Sequence, residues 1–333
     1  MKFLAAYFLM ALIAAGLIFG SWGIWSGPLV VLMLHPLFDR LVGPEHSSTP
    51  SAKGVANSLL WLLLPVEMLL VGYTISAYAH APIWVCLACG LSLGMITGGI
   101  GITGAHELIH RRSAWQRSLG IGLLMLVGYG HFRIEHVYGH HARVATPEDP
   151  ASAQRGHTLY RFWVRSLIGS FTHAWRLEMK RIQTKKLGWY RHSMIAMGIG
   201  QLAIFALAFG LGGIAGGLIW LSQAATAILL LETINYVEHY GLQRKRGTNG
   251  RYEPVTPGHS WDCAYQVTNA TLFNLGYHSQ HHADALSPFQ QLALSKESPK
   301  LPAGYSLMLI LAFFPPLWFR TMHRELDRYA LAT

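Results

Sequence analysis

Apolar runs of about 20 residues, the length that crosses a hydrocarbon core as a helix, recur at 3–20, 22–43, 56–78, 83–104, 194–212 and 214–236. The stretches between them are either short and turn-like or long and polar, so the pattern predicts six membrane-spanning segments. Two further apolar stretches, 118–130 (SLGIGLLMLVGYG) and 305–319 (YSLMLILAFFPPLWF), are short for spanning and read as re-entrant or interface-lying pieces. No internal repeat or low-complexity tract divides the chain. Residues 1–333 therefore read as a single membrane-bound catalytic domain, with a cap formed by 105–193 and 237–333. The expected fold class is all-α integral membrane, six transmembrane helices with a cytoplasmic histidine-rich cap. The first segment, Lys2 followed by a long apolar run with no polar cleavage region before Trp22, is expected to be a retained helix rather than a signal peptide.

Charge gives the sidedness. The turns at 19–24, 78–83 and 210–217 hold no Lys or Arg, whereas the other connections, the span ends and the termini carry all 26. The positive-inside rule then places both termini and 105–193 in the cytoplasm of a multi-pass protein of the cell inner membrane. With 52% hydrophobic and 13% charged residues, the net charge of +10 is a topology signal and not a nucleic-acid footprint. The basic, aromatic stretch at 172–192 (THAWRLEMKRIQTKKLGWYRH) reads as a helix at headgroup level, with docking of an acidic partner protein as the sharper alternative. Cys86 and Cys89 lie one turn apart inside an apolar span, where small packing residues are the simplest reading.

Nine of the eighteen histidines fall into four groups: His106 and His110 in HELIH; His136, His140 and His141 in HVYGHH; His239 in NYVEHYGL; and His278, His281 and His282 in HSQHH. Each group alone is weak, but the six-span topology brings all four to the same membrane face. Nine imidazoles without thiolates exceed any single zinc site. Shared between two ions they give four or five each and leave positions open for dioxygen. Imidazole suits iron, zinc, copper and nickel alike; iron is preferred because open, nitrogen-rich pairs in a membrane suit oxygen activation on apolar substrates. HELIH also matches the HExxH of zinc proteases, which leaves three histidine groups unexplained. A divalent-metal transporter would place its ligands near the membrane midplane and not at helix ends.

Neutral imidazoles leave the charge of two cations uncompensated, so carboxylates are expected nearby to accept the outer ring N–H groups. Glu107, Glu135, Glu238 and Asp284 lie one or two residues from a histidine, Glu232 is two turns before His239, and Asp149 and Asp262 are further candidates. Glycines above HELIH, among them Gly98, Gly101 and Gly104, offer a slot for a hydrocarbon channel; close helix packing through small residues is the competing reading. Glu67 lies mid-span, where an ionisable group is expensive and functional or paired.

The motifs HELIHRR (106–112), EHVYGHHARVATPEDPASAQRG (135–156), NYVEHYGLQR (235–244) and LGYHSQHHADA (275–285) resemble, in content and order, the membrane-bound alkane hydroxylase (alkane 1-monooxygenase) family of the histidine-rich desaturase and hydroxylase group, which includes xylene-monooxygenase-like members. The resemblance runs from about 56 to 295. It implies six membrane helices, a di-iron cap with the nine histidines above as ligands to two Fe ions, and insertion of one oxygen atom of O2 into a terminal methyl C–H bond of an alkane or alkyl-aromatic. A desaturase with the same centre is the nearer rival. No flavin or iron–sulfur signature appears, so electrons are expected from a separate rubredoxin or ferredoxin-type donor with its reductase, and the basic cytoplasmic face favours an acidic one. The last motif departs from the alkane enzymes' LQRHSDHH at Gly276, Tyr277 and Gln280, which leaves the substrate open.

Overall fold

A computed structural model of the chain describes residues 2–45 and 53–332. Among them there is no β-strand, only isolated bridges such as Pro44 with Tyr265. Helix α1 (Leu4–Phe19) ends at Gly20, whose φ of 69° suits glycine, and turns into α2 (Ser21–Val42). The two cross closely because Gly16 and Gly23 face each other: a Cβ on Gly23 would lie 2.3 Å from the Gly16 carbonyl oxygen. Helices α3 (Lys53–Ala77) and α4 (Ile83–Ile109) follow, then α5 (Ala114–Leu126). Helical pieces over 132–143 form α6, and α7 (Leu159–Thr184) leads into α8 (Ser193–His239).

Four of these, α2, α3, α4 and α8, contain segments long and apolar enough to cross a membrane, whereas α1 is shorter. Helix α8 is not straight. Gly213 takes φ 57° and ψ −142°, and the rings of Phe205 and Trp220 lie 5.5 Å apart. Fifteen residues of continuous helix would separate them by about 22 Å, so α8 folds back into two antiparallel arms, with the turn inside the GLGGIAGG stretch. The second arm lies against α4 along a glycine stripe. A Cβ on Gly90, Gly94 or Gly98 would meet Ser222, Thr226 or Ala227 at 2.5, 2.4 and 2.6 Å. Small residues at i, i+4 and i+8 let the two backbones approach.

The stretch at 118–130 forms most of α5, which ends before Gly128 and packs Gly120 onto Leu108 and Ile109 of α4. The stretch at 305–319 is divided between α11 (Tyr305–Ala312) and α12 (Pro315–Ala332), with the break just ahead of Pro315. Between α8 and α11 lie two short helices, α9 (Gln266–Thr271) and α10 (His278–Ala283). A second core of Tyr236, Tyr240, Trp261, Tyr305 and Trp318 clamps this C-terminal part to the end of α8. Large apolar side chains on the other faces, such as Phe8, Leu69 and Leu202, stay exposed, as lipid-facing positions do.

Candidate metal centre

All four histidine groups converge where α4 and α8 end. Five ring nitrogens, from His106, His110, His136, His141 and His281, form one set, and four, from His140, His239, His278 and His282, form a second. Within each set the ligand atoms lie within 4.8 Å of one another. Two segments straddle the sets, and helical register decides how. Residues Glu135–His140 form a π-helical turn, so His136 and His141, five apart, face one set while His140 faces the other. On α10, His278 and His282 share a face at i, i+4 and join the four-nitrogen set, and His281 points to the five.

The spacing fits bound cations. The Nε2 atom of His141 lies 3.0 Å from that of His136 and 3.1 Å from that of His281. The Nε2 atom of His278 lies 3.1 Å from that of His239 and 3.0 Å from that of His282. A ring nitrogen carries either one proton or one lone pair, so it cannot serve two nitrogen neighbours by hydrogen bonding. A cation at the focus of the rings removes the conflict. Metal–nitrogen bonds of about 2.1 Å meeting at right angles hold neighbouring nitrogens about 3.0 Å apart, against about 3.4 Å for a tetrahedral angle. The two donor sets, nitrogen-rich and without thiolates, therefore fit first-row divalent ions. Burial first, then neighbouring imidazoles, hold His136, His278, His281 and His282 well below the ordinary histidine range. The rings are neutral and keep the lone pairs a metal needs.

The surrounding carboxylates divide by what they touch. Asp149, fully buried, lies 2.8 Å from His140 Nδ1 and accepts from Ser152 at 2.6 Å. It fixes the His140 tautomer and leaves Nε2, which has no hydrogen-bond partner, as a lone pair aimed at the centre. Burial alone would raise the Asp149 carboxyl; the His140 and Ser152 contacts outweigh it and hold it at about 2. Glu238 comes within 3.3 Å of His278 Nε2, the inward nitrogen, and accepts from the Tyr305 hydroxyl at 2.5 Å. It stands beside the centre and not behind a ligand. Asp262 accepts from the Ser279 backbone and hydroxyl at 2.8 and 2.9 Å and so holds the start of α10.

The others do not touch a histidine of the two sets. Glu135 pairs with Arg143 at 3.1 Å and with His173 at 2.5 Å, and burial pushes its carboxyl up to about 8 against the opposing pull of Arg143. Glu232 accepts from Tyr129 and Ser166, and Glu107 pairs with Arg111 at 2.7 Å. Asp284 is exposed and accepts from Leu286 and Ser287 of its own turn, so proximity in sequence misplaced it. Of the residues the sequence did not single out, His173 and Arg143 sit in basic stretches, and Tyr305 in an apolar one. Their partners come from distant segments.

A narrow apolar cavity of about 60 Å³ lies between α1, α2, α4, α8 and α11. Four of its lining residues, Thr103, Leu231, Ile234 and Leu275, also line a cleft that reaches His106, His136, His278 and Glu238. On its other side Met95, Leu230 and Leu309 are shared with a groove bordered by Pro28, Trp163 and Phe313. Gly98 and Gly99 line this cavity, but Gly101 and Gly104 face α3, where a Cβ would meet the Glu67 carboxylate at 2.5 Å and Leu63 at 2.1 Å. For those two positions close packing replaces the expected slot. Glu67 is buried, and neither carboxylate oxygen has a hydrogen-bond partner.

Fold and site define an all-helical membrane protein built around two clusters of metal-capable histidines. Residues 81–309 match the fatty acid desaturase family. Alkane 1-monooxygenase 1 of Pseudomonas aeruginosa is 38% identical over 97% of this chain and 91% of its own length, and alkane 1-monooxygenase 2 of that organism 40% identical over 92% and 84%. The xylene/toluene monooxygenase hydroxylase component XylM of Pseudomonas putida is 28% identical over 96% and 87%. The chain belongs to the fatty acid desaturase family, together with the alkane 1-monooxygenases it resembles over more than nine-tenths of its length.

Proposed function

We propose that the chain is a membrane monooxygenase that hydroxylates a terminal methyl group of an apolar hydrocarbon, alkane or alkyl-aromatic, to a primary alcohol. The observation that carries this reading is the meeting of nine imidazoles with the inner end of an apolar cavity. The nine histidines are the proposed ligands of two iron ions, which when bound supply the activation of dioxygen and the transfer of one oxygen atom into a C–H bond. The residues of the chain do the rest. Leu231, Ile234 and Leu275 exclude water and align the substrate chain. Asp149 orients His140, and Asp262 seats α10. Glu238, beside His278 and hydrogen-bonded to Tyr305, is placed to hold a proton at the mouth of the cavity.

The topology that supports this function has six crossings, formed by α1, α2, α3, α4 and the two arms of α8. The centre then lies on the cytoplasmic side of the inner membrane, where the basic surface favours a small acidic rubredoxin or ferredoxin-type electron donor. The test is purified protein loaded with iron and supplied with a reductase and donor, then offered alkanes, alkylbenzenes and fatty acyl compounds. The expected result is two irons per chain, oxygen uptake dependent on hydrocarbon, and products heavier by one oxygen. Products lighter by two hydrogens would identify a desaturase. Exchangeable zinc with no oxygen uptake would overturn the oxygenase reading.

A further inference from the structure

Helix α7 is not among the helices apolar enough to cross a membrane, and its contacts with α8 fix where it lies. Near its start, Trp163 Nε1 donates to Thr233 Oγ1 at 3.2 Å and the Phe162 ring lies 5.4 Å from that of Tyr236, both in the last turns of the second arm of α8. Near its end, Glu178 accepts from the Ser193 backbone N–H at 2.6 Å and Ala174 packs with Met194 and Met197, in the first turns of the first arm. The arms are antiparallel, so both of these ends of α8 lie on one side of the molecule, the side of the two histidine sets. The fifteen residues from Trp163 to Glu178 cover about 22 Å. Helix α7 therefore runs across the ends of the two arms and not along them.

Its outer surface has two parts. Tyr160, Val164, Ile168, Phe171, Trp175 and Met179 recur every three or four residues, which gathers them within about 100° of the helix circumference. All six are exposed, Val164 and Ile168 at 61% each. Arg161, Arg176 and Lys180, also exposed, occupy the next sector of about 100°. The remaining face packs on the molecule through Phe162, Ser166, Ser170 and Ala174. Residues 159–192 hold eight Lys and Arg against one acid, Glu178, and that acid is engaged by Arg181. At its N-terminal end the apolar ridge runs into the groove bordered by Trp163 and Phe313, where the Tyr160 hydroxyl donates to the Phe313 carbonyl at 2.9 Å. An acidic protein would match the cations but leave six large apolar side chains unmatched. A second copy seated on the ridge would bring its own cations against these. A lipid surface offers acyl chains to the ridge and anionic headgroups to the strip beside it. We propose that α7 lies in the headgroup boundary of the bilayer on the histidine side, with its ridge among the acyl chains and its cationic strip on anionic headgroups.

The test uses the full chain in nanodiscs of phosphatidylcholine, alone or mixed with phosphatidylglycerol, and needs neither iron nor turnover. Nitroxides are attached to Val164→Cys and Ile168→Cys on the ridge and to Arg176→Cys and Lys180→Cys on the strip; the three native cysteines are buried, and the unsubstituted chain sets the background. The expected result is that ridge labels collide more with oxygen, which partitions into lipid, than with a water-soluble nickel chelate, and that strip labels show the reverse order. Ridge labels as open to the chelate as strip labels would overturn the proposal. So would ridge labels shielded from both, the mark of a second copy, or shielded only when an acidic ferredoxin is added, the mark of a protein partner. For the headgroups, spin-labelled phosphatidylglycerol should associate with the wild type about fivefold more strongly than phosphatidylcholine, the weight of one cation near an anionic surface. The double variant Arg176→Gln, Lys180→Gln should lower that ratio. A ratio of one in the wild type, or a ratio unchanged in the double variant, would overturn the contact with anionic lipid.

Discussion

Asp149 is the buried carboxylate that contacts a histidine of the four-nitrogen set from its outer side. It is sequestered from water, bonded to an outer histidine nitrogen and itself held by a serine. Replacing it with asparagine keeps the shape but removes the charge that fixes the ring. Metal affinity of the four-nitrogen set should fall about 10- to 100-fold, the usual cost of losing such a partner. Titration against buffered free iron should show one ion per chain lost before the other; two ions retained alike would refute the role. The nine histidines were legible in sequence because they come in tight groups beside apolar runs. Their separation into five and four was not, because it depends on a π-helical turn at Glu135–His140 and on which face of α10 meets which set. Asp284, adjacent to a histidine pair, bonds within its own loop, whereas Asp149, eight residues beyond His141, contacts the His140 ring.

Between elements, the same logic separates two cavity-lining glycines, one packed against a backbone and one with room for a side chain. On α4 a Cβ at Gly98 would strike the Ala227 backbone at 2.6 Å, while at Gly99 the nearest atom is a Leu230 methyl at 3.9 Å. Gly99→Leu should leave the fold intact and shorten the longest hydrocarbon oxidised, whereas Gly98→Leu should lower expression and melting temperature. A product profile unchanged in Gly99→Leu would remove the cavity from the substrate path. Spacing alone could not distinguish these neighbours, since both belong to one glycine-rich run.

A second junction joins α7 to α8. Glu178 accepts two bonds from Arg181, at 2.8 and 2.6 Å, and one from the Ser193 backbone N–H at 2.6 Å. Burial would raise its carboxyl, but Arg181 and the Ser193 contacts hold it at about 2. A depressed carboxyl stabilises the fold above its unfolded value, near 4.3, and the gain is lost as pH falls toward 2. Glu178→Gln should therefore be less stable at pH 7 by about 1–2 kcal/mol. The gap from wild type should narrow below about pH 4; a gap independent of pH would assign the effect to shape alone.

At the scale of the whole molecule, hydropathy located the helices because lipid imposes a length and an apolar composition on them. It even located the reversal in α8, through the glycine run around Gly213. It could not foresee the contact of His35 with Ser306, residues 271 positions apart.

The distribution of the ligands along the chain has a consequence for biogenesis. Each nitrogen set takes members from the first part of the chain, near His106 or His140, and from α10, so neither set is complete until residues 278–282 have been made and docked. By then both arms of α8 precede α10 in the chain. The five-nitrogen set is four-fifths assembled before α10 is made and the four-nitrogen set only half, so the last wall to arrive matters more to the second cage than to the first.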